Sequence, residues 1–171
     1  MKKTLTLLAL TISFSMNAQM SDNSSGTSAT GSNAVAMGQG TTASATASTA
    51  MGYNTTASGL VSTAMGDSST ASGIVSTAMG TVTTASGYNS TAMGSFTTAS
   101  DFASVVIGQY NSSGSSVTNN AGSFNTANTA FVIGNGTAND ARSDAFKVMF
   151  NGNATLAGSM TATSFIGDGS Q

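Results

Sequence analysis

One period dominates the chain. Ala-Met-Gly recurs every fourteen residues, at Ala36-Met37-Gly38, Ala50-Met51-Gly52, Ala64-Met65-Gly66, Ala78-Met79-Gly80 and Ala92-Met93-Gly94, and Val106-Ile107-Gly108 continues it. Seven residues on, a second block repeats as Thr56-Ala57-Ser58-Gly59, Thr70-Ala71-Ser72-Gly73, Thr84-Ala85-Ser86-Gly87 and Thr98-Ala99-Ser100-Asp101. Thr42-Ala43-Ser44 and Thr126-Ala127-Asn128 are weaker copies, and Ala121-Gly122 keeps the register once more. The repeat runs from about residue 20 to about residue 131. A gapless period over seven rows points to stacked units, each contacting only its neighbours.

Fourteen residues are too few for a helical hairpin and suit two short strands with two tight turns. Ser48-Thr49-Ala50-Met51 reads as one strand and Thr55-Thr56-Ala57-Ser58 as the other. Gly52 and Gly59 open the turns, where a positive φ costs glycine little. Pairing each row in parallel with the next gives a roll roughly 30 Å long for seven rows. Side chains alternate along a strand, and only small ones fit between sheets joined by such short turns. The Ala columns therefore point inward. Thr49 and Met51 then face out from one sheet, and Thr56 and Ser58 from the other. This places Met37, Met51, Met65, Met79, Met93 and Ile107 in one outward apolar stripe, a surface that calls for a partner. The expected partner is the same stripe on other copies of the chain. The opposite parity, with Met filling the roll, is the alternative.

Composition excludes much else. The chain has 171 residues, with no Cys, His, Trp, Pro or Glu. No disulfide framework, no Ser-His-Asp triad and no imidazole metal site is available. Lys2, Lys3, Arg142 and Lys147 are the only basic residues, too few for a nucleic-acid-binding face. No cofactor or metal site is read, and the chain does not read as an enzyme. The N-terminus has the layout of a secretory signal peptide: Lys2 and Lys3, an apolar run from Leu5 to Phe14, and a cleavage site after Ala18. The product is expected outside the cell or on its surface, with no membrane span in the mature chain.

The row Ser-Thr-Ala-Met-Gly-x-x-Thr-Thr-Ala-Ser-Gly-x-x resembles the YadA-like head repeat of trimeric autotransporter adhesins. Ser104-Val105-Val106-Ile107-Gly108 shows the family row best, and the resemblance covers about residues 29–134. It implies an all-β fold: a left-handed parallel β-roll of about seven coils, assembled side by side as a homotrimer. It also implies a role in bacterial adhesion. The Met stripe falls on the family's Ile column. Thr in the family's Val column is a departure that makes the expected interface more polar. After residue 131 the register breaks: Ala130-Phe131-Val132-Ile133-Gly134 repeats the motif two residues early, and Arg142–Val148 and Asn151–Leu156 read as strands closing the roll's end. The expected organisation is a signal peptide at 1–18, head repeats at 19–131 and a cap or connector at 132–171. No heptad run and no series of barrel strands follows, so the chain reads as a truncated or anchor-less member.

Two functions follow from the surface. An adhesin head would bind a host-surface or matrix macromolecule through its variable corners, where Tyr53, Tyr88, Phe96, Phe102, Tyr110 and Phe124 are the bulky residues. The alternative is ice binding through the ladders of Thr56, Thr70, Thr84 and Thr98 and of Ser58, Ser72, Ser86 and Ser100.

Overall fold

The structure, a computed structural model, describes residues 20–21, 25–112 and 121–161. The expected signal peptide lies outside the described residues. Long and short strands alternate. Met20–Ser21 (β1) and Ser28–Ala29 (β2) lead into Val35–Gln39 (β3), Thr42–Ala43 (β4), Thr49–Tyr53 (β5) and Thr56–Ala57 (β6). Thr63–Asp67 (β7), Thr70–Ala71 (β8), Thr77–Thr81 (β9), Thr84–Ala85 (β10), Thr91–Ser95 (β11), Thr98–Ala99 (β12) and Val105–Gln109 (β13) complete the repeats. Thr129–Asn135 (β14), Asp144–Met149 (β15) and Ala154–Leu156 (β16) follow.

The long strands form a ten-stranded sheet in the order β1-β3-β5-β7-β9-β11-β13-β14-β15-β16, and the two-residue strands form a six-stranded sheet from β2 to β12. Every pair from β2 to β13 is parallel and offset by fourteen, as in Ala50↔Ala64 and Ala57↔Ala71, while β1 pairs in parallel with β3 at an offset of fifteen, Met20 with Val35. This is a parallel β-solenoid of six complete coils, one fewer than the sequence reading. Beyond them β14 adds a further rung to the long-strand sheet alone. It pairs Val106 with Val132, so Ala121-Gly122 and Thr126-Ala127-Asn128 fall in the connection rather than in strands. The strand begins at Thr129 and crosses the boundary expected at residue 131.

The parity is the expected one. Ala36, Ala50, Ala64, Ala78 and Ala92 face Ala43, Ala57, Ala71 and Ala85, all fully buried at 0% exposure. Half of the interior is hydroxyl. Ser48, Ser62, Ser76, Ser90 and Ser104 form one buried column, and Thr41, Thr55, Ser69, Thr83 and Thr97 another. Several of these hydroxyls bond inside the roll. Ser90 Oγ donates to Gly87 O at 2.7 Å, and Thr83 Oγ1 donates to Ser69 Oγ at 2.8 Å. Methyl groups and hydroxyls bury little apolar area, so the rung-to-rung backbone ladder and close packing carry much of the cohesion.

Glycine serves that closeness in two ways. Gly66 has φ +108°, and a Cβ there would sit 2.1 Å from Gly80 O. Gly73 has no such φ; a Cβ there would meet Gly87 O at 2.1 Å. The Gly59 and Gly73 column is thus fixed by backbone approach and not by positive φ, which corrects the sequence reading. The left-handed turn positions are instead the second variable residues, such as Asn54 (φ 51°) and Val61 (φ 57°).

The last coil ends through side chains that stand in for a missing rung. Asn111 continues the Thr97 column. Its Oδ1 accepts from Thr98 N at 2.7 Å and its Nδ2 donates to Thr98 O at 3.0 Å. The amide thereby pairs with β12 as backbone would, and covers an edge otherwise open to another strand. Asp101, in the Gly87 column, accepts at Oδ2 from Thr129 N at 2.8 Å. β15 and β16 then extend the long sheet in antiparallel fashion.

Candidate interaction surfaces

The outer face of the long-strand sheet is apolar along its length. Met37, Met51, Met65 and Met93 are half-buried and Met79 is 38% exposed. The column continues through Ile107 to Ile133, then to Phe146 opposite Ile133 and Leu156 opposite Phe146. Beside it, Val35, Thr49, Thr63, Thr77, Thr91, Val105 and Phe131 form the second outward column. Phe131 and Phe146 meet edge to face, with centroids 6.4 Å apart. From β3 to β16 the stripe crosses nine strands, roughly 38 Å at the usual strand spacing. Sequence reading stopped it at Ile107. Phe146 and Leu156 join through antiparallel pairing, which the fourteen-residue count does not reveal.

The predicted corner residues separate into three places. Tyr53 ends β5, and Phe96 and Tyr110 lie on the corner that follows the long strands. Tyr53 is exposed, but Phe96 and Tyr110 stack on each other at 4.5 Å. The Arg142 guanidinium lies 5.8 Å from the Tyr110 ring and donates to Phe96 O at 2.9 Å. This pair is engaged in closing the roll. Tyr88 and Phe102 lie on the opposite corner. Phe124 lies in the connection to β14, exposed, with its ring against Phe150 at 5.1 Å.

The Tyr88 corner carries residues that a search for aromatics alone passes over. Leu60, Ile74, Tyr88 and Phe102 stack there, flanked by Val61 and Val75. Val61 and Val75 are each 49% exposed, and both have φ 57°. A β-branched residue is an outlier in the left-handed region, at a cost of about 1–2 kcal/mol per residue. Asn33 and Asn89 occupy the same column, so the turn accepts a residue better suited to it. At two adjacent coils the chain holds strained, exposed valines that contribute little to the roll's interior. Consecutive Leu60-Val61 and Ile74-Val75 at corner positions were the available signal.

The other sheet shows the Thr column half-buried, with Ser58 and Ser72 exposed beside it. Its strands are two residues long, and the Ser column falls outside them.

Residues 29–55, 57–83 and 85–111 each match the YadA head domain repeat family, two repeat copies per match. Residues 29–111 are YadA head repeats. Neither the curated proteins nor the solved structures give a significant match to the chain. The three matches span the six coils, and the family points to an adhesin-type function with a structural role. In these YadA head repeats the two glycine columns are what let successive backbones touch. Among the described residues no helix is long and apolar enough to cross a membrane.

Proposed function

We propose that the protein is the head of a trimeric, surface-displayed bacterial adhesin. It is exported by the signal peptide at residues 1–18, with its repeats at 19–131 and a cap or connector at 132–171. Three chains pack side by side through the Met face. Burying an exposed Met completely is worth about 1.5–3 kcal/mol, and the five in this column, four of them already half-buried on the roll, each contribute part of that. YadA heads are trimers, which supports the same arrangement.

The observation that carries the adhesion reading is the apolar ridge of Leu60, Val61, Ile74 and Val75 on a YadA head solenoid, in which Val61 and Val75 are both exposed and held at positive φ. A shallow ridge binds a host-surface or matrix macromolecule weakly. Three rolls per head and many heads per cell convert weak contacts into firm attachment through effective concentration. The Thr and Ser ladders by themselves do not favour ice binding, and no thermal hysteresis is expected. The test is retention of densely and sparsely coated beads on matrix-coated and cell-coated surfaces. Retention at high density is expected, with loss when Leu60→Ser, Val61→Asn, Ile74→Ser and Val75→Asn are combined. No retention at any density would leave the head a passive spacer.

A further inference from the structure

The outward column changes from Met to Ile at Ile107 while the fourteen-residue register is kept, Ala92 pairing with Val106 and Ser95 with Gln109 on either side of the change. Met37, Met51, Met65, Met79 and Met93 stack in register on parallel strands. Ile107 and Ile133 continue the same column in the same register. Isoleucine therefore fits this position in this chain, and it is the better strand residue. Neither packing nor propensity accounts for five consecutive methionines. What they add is a row of thioethers in a chain that has no Cys and no Trp.

We propose that the Met column is an oxidation-sensitive assembly face, modified by hydrogen peroxide before the chains associate. The proposal rests on the trimer reading above. A thioether lone pair attacks a peroxide oxygen, an S–O bond forms and the O–O bond breaks. Sulfur loses two electrons, peroxide gains them, and water leaves. Each sulfoxide replaces an apolar surface with a strong hydrogen-bond acceptor. In a dry contact between outward columns each acceptor loses its hydration, its neighbours along the column are other methionines, and the donors its own chain offers on that face are the hydroxyls of the adjacent Thr column, one per rung from Thr49 to Thr91. The roll itself is untouched. Its interior is the Ala and hydroxyl set, and every Met of the column points the other way. Oxidation thus separates assembly from folding. Once three chains have closed on the column, oxidant no longer reaches it. The sulfoxides are substrates for methionine sulfoxide reductases, so the block is reversible.

The test uses the full mature chain. One sample is oxidised with hydrogen peroxide in denaturant and refolded, a second is oxidised after assembly, and a third is untreated. Mass in solution, β-sheet content and sulfoxides per peptide are read for each, with Met160, 60% exposed, as the reference methionine. A variant combining Met37→Ile, Met51→Ile, Met65→Ile, Met79→Ile and Met93→Ile, the Ile variant, is treated in parallel. The untreated protein is expected to be a trimer. The chain oxidised before assembly is expected to be β-rich and monomeric. In the assembled sample the column is expected to oxidise at least roughly tenfold more slowly than Met160, in line with its burial. The Ile variant is expected to assemble after the same treatment. Met51→Gln, Met65→Gln and Met79→Gln combined, which places amides where sulfoxides would lie, is expected to give a folded monomer. A trimer that re-forms fully from chains carrying column sulfoxides overturns the proposal, as does an Ile variant equally blocked by oxidant. An untreated monomer overturns the trimer reading and the proposal with it.

Discussion

The coil array and the end that closes it solve opposite problems. Within the array every rung has a rung on either side, so a column tolerates one residue type repeated: Ala inside, Gly at close approach, hydroxyls between. At the end no next rung exists in the short-strand sheet, and the chain abandons uniformity. Asn111 enters the Thr97 column to satisfy both backbone groups of Thr98. Asp101 enters the Gly87 column to take the Thr129 amide, and Arg142 bonds Phe96 O and Asn111 O. Repetition is inexpensive in chemical variety, and ending it requires amides, carboxylates and a guanidinium, each placed once.

The largest effect should separate two glycines. A Cβ at Gly73 would lie 2.1 Å from Gly87 O, whereas one at Gly158 meets nothing within 4 Å. Gly73→Ala should cost about 3 kcal/mol or more, because backbone must move on both rungs. Gly158→Ala should stay within about 0.5 kcal/mol. Urea unfolding of both variants is the check, and equal midpoints would undo the stacking account.

The second contrast sets the two outer faces against each other. In the proposed trimer Met65→Asp would place a carboxylate in each of three chains on the covered face, where desolvation and repulsion oppose assembly. Thr70→Asp remains in water and should change stability by about 0.5 kcal/mol or less. Thermal melts and mass in solution should show Met65→Asp disassembled and Thr70→Asp intact. Equal losses would contradict the assignment of faces.

Interior against end gives the third. Asn111→Ala leaves Thr98 N–H and C=O unpaired at a covered edge, a loss of about 1–3 kcal/mol. Ser62→Ala removes a buried hydroxyl that has no hydrogen-bond partner and should be neutral or stabilising by up to about 1 kcal/mol. Chemical unfolding of the pair would sharpen the distinction between column and terminator.

These contrasts also mark what the residues told in advance. Period, face parity and the Ala interior were legible because identical residues recur in the columns that packing fixes. The hydroxyl half of the interior was legible too, since Ser48 shares parity with Ala50 and Thr55 with Ala57, but attention to apolar residues passed it by. Other features lay beyond a count of fourteen. The return of the motif at Phe131-Val132-Ile133-Gly134, two residues early, already gives the pairing offset of twenty-six between Val106 and Val132, but it does not tell that among the described residues only the long-strand sheet gains this rung. Asn111 reads as one more polar residue until its amide is seen against Thr98. The function of Gly73 depends on where the next coil's carbonyl lies, which composition does not express.

The smallest effect concerns the ridge. Val61→Asn keeps φ 57° with a residue that favours it, and should stabilise the roll by about 0.5–1 kcal/mol. The same variant should weaken bead retention. Stability gained with binding unchanged would remove Val61 from the contact surface.

The claim on which the rest depends is that other copies of the chain cover the Met face. Light scattering of the purified mature protein at micromolar concentration tests it most directly. The account predicts one β-rich species of three chains, undissociated on dilution through that range. A stable, folded monomer would contradict it.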